Sequence, residues 1–207
     1  SILLVLESGF TLASNVALFS PLSNKDNELV SKIISTTKSY FRKIGLAYLF
    51  IGFAVVLVYS RFVVSSIPYY EVLLILLISL IPTAFNLIFA TKYTVLFQSS
   101  QHEYIINFLK VLSCIIGHTM VIIIGGIGIN RILLRILMLL NPIISIALII
   151  LVGKRRYSYL DMNLLPDKSL IPGTKDLMIQ KFVGLAYSTA PTLLMSARIG
   201  TVAISIY

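Results

Sequence analysis

The chain has 207 residues, 57% hydrophobic and only 12% charged, about half the ~25% charged share of a soluble domain. A mean hydropathy of +0.95 excludes a water-soluble enzyme or binding module. Seventeen Lys and Arg against eight Asp and Glu give a net charge of +9. In so apolar a chain that charge points to an anionic leaflet or ligand rather than to nucleic acid.

Six apolar segments follow one another: A over about 1–20, B 44–60, C 72–91, D 104–125, E 133–152 and F 177–196, with 201–207 opening a seventh. Each approaches the ~20 residues that cross a hydrocarbon core as a helix. The runs are continuous, without the alternation of a membrane β-barrel. The expected fold is therefore an all-α, polytopic membrane helical bundle. The chain opens on Ser1 inside one apolar run and stops inside another, "TVAISIY", so it reads as an internal piece of a longer protein.

The A–B loop carries Lys25, Lys32, Lys38, Arg42 and Lys43. The C–D loop carries Lys92, and the E–F loop Lys154, Arg155, Arg156, Lys168, Lys175 and Lys181. Placing these three loops on one side gathers most of the basic residues there, and the positive-inside tendency makes that side cytoplasmic. Ser23 and Asn24 offer capping oxygens, Asp26 and Glu28 suit a helix N-terminus, and apolar residues recur at Leu29/Val30, Ile33/Ile34, Tyr40/Phe41 and Ile44. That pattern predicts an amphipathic helix over about 24–43 lying at the membrane interface. Residues 153–176, with Pro166 and Pro172, read as a polar cytoplasmic connector between two bundles.

Pro82, Pro142 and Pro191 fall inside spans C, E and F. Two readings stand for them: the interrupted helices of transporters, or ordinary bending. In span D, Glu103, Asn107, Lys110, Cys114 and His118 recur every three or four residues and share one face. Lys110 and His118 stand about 12 Å apart along it. A Lys at membrane depth is expensive against lipid, so this face should line a hydrated cavity or meet a partner charge. Span A offers Glu7, Thr11, Ser14 and Asn15, with Glu7 a candidate partner for Lys110 or Arg135. Span C offers Asn86, span E Arg135, and Arg198 follows span F.

Bland readings stand beside these. Hydroxyl and small residues pack membrane helices without any transport role. Arg135 and Arg198 lie where side chains snorkel to the interface. His118 suits a packing hydrogen bond as well as proton work. Catalytic signatures are missing: "GGIG" at 125–128 lacks the dinucleotide fingerprint, and two histidines with one cysteine make no zinc site. No cofactor is expected.

The segments "ESGF" (7–10), "ALFSPLSNKDNE" (17–28) and "KSYFRKIG" (38–45) resemble the second-to-third helix region of Wzx-type polysaccharide flippases. These belong to the multidrug/oligosaccharidyl-lipid/polysaccharide exporter superfamily. Phe19 and Ser20 stand where the family's turn has Tyr-Lys. The resemblance covers most of the chain, is strongest over about 1–50, and is weak across C to E. It implies that A to E (1–152) are helices two to six of a six-helix lobe, and that 153–176 joins the lobes. Residues 177–207 would open the second lobe. It further implies alternating-access movement of an undecaprenyl-pyrophosphate-linked oligosaccharide across the bacterial inner membrane, for surface polysaccharide assembly. Such transport would be driven by a proton or sodium gradient and helped by a cationic cavity in which Lys110, Arg135 and Arg198 are counterparts. The family's early acidic residue in helix seven is replaced here by "STAP" (188–191), which puts any ion-coupling role of that acid in doubt. The competing classes are a multidrug or organic-cation exporter, which favours acidic cavity residues, and a membrane-embedded sugar transferase or polymerase, which needs clustered polar residues in a large loop.

Overall fold

A computed structural model describes residues 2–62, 68–125 and 136–171, with isolated positions from 173 to 187. The elements are α1 (Ile2–Ser23), α2 (Asn27–Phe62), α3 (Tyr69–Phe85), a π turn (Asn86–Ala90), α4 (Thr91–Ser99), α5 (Glu103–Gly125) and α6 (Leu140–Arg156), then a short 3-10 turn (Lys168–Leu170). Among the described residues there is no strand, and the chain is an all-α bundle. Four helical stretches are long and apolar enough to cross a membrane: Asn27–Ser60, Tyr69–Ser99, Glu103–Ile124 and Ile136–Arg156. They take the places of spans B to E, and α1 takes the place of span A. Most of span F, together with Pro191 and the 201–207 segment, lies outside the described residues.

The surface helix expected over about 24–43 is corrected. Residues 27–62 form one uninterrupted helix of 36 residues, about 54 Å long at 1.5 Å per residue. Its first half is buried in the protein: Val30, Ile33, Ile34, Phe41 and Ile44 all belong to the core. The amphipathic period was real, but its apolar stripe meets α1 and α4 rather than lipid. Phe10 of α1 stacks on Tyr40 with ring centroids 3.6 Å apart and meets Phe41 edge-on.

The turn between α1 and α2 is set locally. The Lys25 N–H donates to the Leu22 carbonyl and the Asp26 N–H to the Pro21 carbonyl, the paired bonds that end a helix through a left-handed residue. Lys25 takes that conformation at φ 55° without being glycine. Asp26 then caps α2, its Oδ1 accepting from the Leu29 N–H at 3.0 Å. Ser23 and Asn24, the capping residues expected from the sequence, instead lie in the end of α1 and in the turn. The α4–α5 turn repeats the same device, with Gln101 at φ 59° and the His102 N–H donating to the Phe97 carbonyl.

The prolines behave differently from one another. Pro82 precedes the π turn by one helical turn, and there the Thr91 N–H bonds back to the Asn86 carbonyl. The Thr91 hydroxyl donates to the same oxygen at 3.0 Å. Pro142 falls in the first turn of α6, where a missing N–H breaks no helical bond.

The α1–α2 turn, the α4–α5 turn and the segment after α6 meet at one end of the bundle, where they line a common cleft. This is the juxtaposition expected from the distribution of Lys and Arg, and we call it the basic end. Residues 157–171 are not a slack connector. Tyr157, Leu160 and Ile171 enter the core, and the backbone is stitched to α2. The Asp161 N–H donates to Ser31 Oγ at 3.2 Å, and the Asp167 N–H donates to Thr36 Oγ1 at 2.8 Å. Lys38 Nζ donates to the Met162 carbonyl and to Asn163 Oδ1. The Ser169 hydroxyl and N–H hold the Asp167 carboxylate below its ordinary pKa and shape the 3-10 turn.

Away from that end the surface inverts. Phe50, Val55, Ile115 and Ile122 are exposed. Such a surface is stable only in a hydrocarbon solvent.

Two substitutions test this architecture. Thr36→Val leaves the part-buried Asp167 N–H without its acceptor, at a cost of about 1 kcal/mol. It should lower the melting temperature in detergent and raise amide exchange across 161–170, leaving α5 unaffected. At Gly117 a Cβ would lie 2.6 Å from Asn141 Cβ and 2.9 Å from Asn141 Cα, a clash that side-chain rotation cannot relieve. Gly117→Ala should therefore separate α5 from α6 and destabilise by about 1–3 kcal/mol, read by the same melting assay.

Candidate functional site

Helix α5 buries Ile106, Leu109, Ser113 and Gly117 against its neighbours. Asn107, Lys110, Cys114 and His118 each follow one of these by one position, and all four are exposed. One residue is 100° of helical rotation, so the polar stripe lies on the flank of the packed face rather than within it. It is flanked in turn by exposed Phe108, Val111 and Ile115. Within the stripe, His118 Nδ1 lies 2.8 Å from the Cys114 carbonyl. A carbonyl only accepts, so Nδ1 carries a proton. Cys114 Sγ is 3.4 Å from the same nitrogen.

The structure does not join Lys110 to Glu7. Among the described residues the one ion pair is Lys32–Glu28, an exposed pair within α2. Glu7 is half-buried on α1. Asn15 has a packing role: its amide donates to Gln98 Oε1 at 3.2 Å, and its Oδ1 accepts from Ser99 Oγ at 3.0 Å. Gln98 passes the chain on to Glu103 at 3.2 Å, so one polar network ties α1, α4 and α5 together. Ser14 is likewise absorbed by the core, accepting from the Thr37 hydroxyl. Asn86 is half-buried where the helical ladder changes to its π turn. Arg135 and Arg198 lie outside the described residues.

Sequence reasoning missed a second feature, the cleft at the basic end, with a volume of about 820 Å³. Its polar lining comes from Ser23, Ser99, Ser100, Gln101, His102 and Arg156, and Tyr157 donates to Ser100 Oγ at 3.1 Å. Burial pushes the Tyr157 phenol above its ordinary pKa, which keeps it a donor. A count of residue types could not find this site, because its parts come from three separate places in the chain. No group of His, Cys, Asp and Glu among the described residues could hold a metal ion.

No family model matches this chain, and neither does any curated protein or solved structure. The geometry therefore carries the functional argument.

The stripe can be tested through Cys114, the single cysteine. Maleimide attacks the thiolate, which forms in water and not in hydrocarbon. A membrane-impermeant maleimide should label Cys114 in the native membrane. A thiol that reacts only after detergent extraction would place the stripe against lipid.

Proposed function

We propose that this protein moves a lipid-linked oligosaccharide, carried on undecaprenyl pyrophosphate, across the bacterial inner membrane by alternating access. The observation that carries this reading is the exposed stripe Asn107–Lys110–Cys114–His118 on a membrane-spanning helix. A cation held against lipid tails costs several kcal/mol, so the stripe needs water or a polar ligand beside it. A pyrophosphate-bearing substrate supplies the opposite charge. The flippase-like segments over about 1–50 support the same class, and the basic end would then be cytoplasmic by the positive-inside tendency. A proton or sodium gradient would drive the cycle. A cation exporter of the same superfamily calls for acid along this face; the stripe's acid, Glu103, is at the end of α5 and is held by Gln98.

Export of the lipid-linked glycan to the outer surface of cells tests the proposal. Lys110→Ala should lower it by about tenfold, the worth of one charged hydrogen bond, at unchanged protein level in the membrane. Full export by Lys110→Ala would sink the cationic stripe as a substrate contact. Loss of export restored by Lys110→Arg would support it.

A further inference from the structure

The cleft at the basic end lies apart from the α5 stripe, and its chemistry is that of an anion site. Its cation is Arg156, the last residue of α6. Basic residues at a helix C-terminus commonly do no more than complement the dipole, and the neighbouring Lys154 and Arg155 do that here. Arg156 differs in reaching back across the fold. Its guanidinium lies 2.6 Å from Nε2 of His102, in the turn between α4 and α5.

Arg donates and cannot accept, so Nε2 is the acceptor and His102 is a neutral imidazole with its proton on Nδ1. That Nδ1 is buried and has no hydrogen-bond partner. The cleft thus combines a guanidinium set against a neutral ring with a buried donor that lacks an acceptor. None of the residues lining it is acidic. Glu103, the nearest acid in sequence, takes a hydrogen bond from Gln98 instead. Ser100 Oγ lines the same cleft, 3.1 Å from the Tyr157 hydroxyl.

The surroundings narrow the ligand. The cleft lies at the C-terminal ends of α1, α4 and α6, next to the last turn of a membrane span. Its rim carries exposed Phe19 and Tyr159, with Leu22 beside them, and aromatic side chains of this kind sit at headgroup level. Basic pockets between spanning helices on the cytoplasmic side suit phosphate headgroups.

We propose that this cleft binds a phosphate ester, with Arg156 as its charge partner and the headgroup of an anionic phospholipid as its occupant. The site does not depend on the transport reading, because none of its residues belongs to the α5 stripe. A phosphate ester can also come from solution, and the experiment separates the two sources.

The full-length protein is purified in mild detergent, and bound phosphatidylglycerol is counted by native mass spectrometry, with phosphatidylcholine as the neutral reference. Wild-type protein should retain phosphatidylglycerol in preference to phosphatidylcholine, unaffected by added inorganic phosphate. Arg156→Gln should weaken that retention by about tenfold, and Arg156→Lys, which keeps the charge but loses the planar fork, by less. Lys43→Gln removes an equal charge from an exposed site elsewhere and should behave as wild type. Equal weakening by Lys43→Gln would overturn the site in favour of diffuse attraction between a basic protein and acidic lipid. No preference for phosphatidylglycerol would also overturn it. Displacement of the lipid by inorganic phosphate would overturn the lipid as occupant. Correct folding of each variant is checked by gel filtration, and Tyr159→Ala, at the exposed rim, supplies a further variant expected to weaken lipid retention.

Discussion

A helix about 54 Å long cannot lie wholly inside a hydrocarbon layer about 30 Å thick. That mismatch in α2 divides the molecule into two regions with different solvents. One half of α2 carries exposed Phe50, Phe53, Val55 and Val58. The other carries Lys32, Lys38, Arg42 and Lys43 on its outside and a dense core on its inside. The α3–π–α4 run of residues 69–99 follows α2 in the opposite direction, with Ser60 bonded to Tyr69 at one end and Gly45 against Ile88 further along. The α1 and α6 helices then close the basic half.

The two halves are held together by different forces. In lipid, apolar side chains on the outside are already in a favourable solvent, so helices associate through close approach and shape. Gly117 against Asn141 is such a contact. At the basic end, buried hydroxyl and amide groups are paired across long stretches of sequence: Asn15 with Gln98 and Ser99, Thr37 with Ser14, Thr36 with Asp167. Each pairing satisfies groups whose burial would otherwise be costly. The bonds from Ser31, Thr36 and Lys38 to residues 161–167 make 157–171 a strap bound to the first half of α2.

The polar groups left over after this pairing are the candidates for contact with a ligand. Asn15 and Ser14 are consumed by packing. Lys110 and Asn107 are not part of the packed face of α5, and in a membrane they need a polar neighbour of their own. Arg156 is a parallel case at the basic end, where its guanidinium meets the His102 imidazole rather than an acid.

The all-α class, four of the spans, the shared polar face of α5 and the gathering of Lys and Arg at one end were all legible in the residues. Hydropathy and helical periodicity are local properties, summed over windows shorter than one helix. The sequence by itself also placed the break between α1 and α2 near the polar run 23–28, although the capping residue is Asp26 rather than Ser23 or Asn24. It could not say whether the amphipathic stripe of 27–43 faces lipid or protein, since both solvents favour the same apolar residues. Nor could it separate Asn15, a packing residue, from Lys110, an exposed one, or join His102 to Arg156. Those assignments depend on contacts between residues far apart in sequence, 23 positions for Ser14 and Thr37, 54 for His102 and Arg156, and 83 for Asn15 and Gln98. Only the tertiary structure decides them, because it alone determines which polar groups find partners and which are left to a ligand.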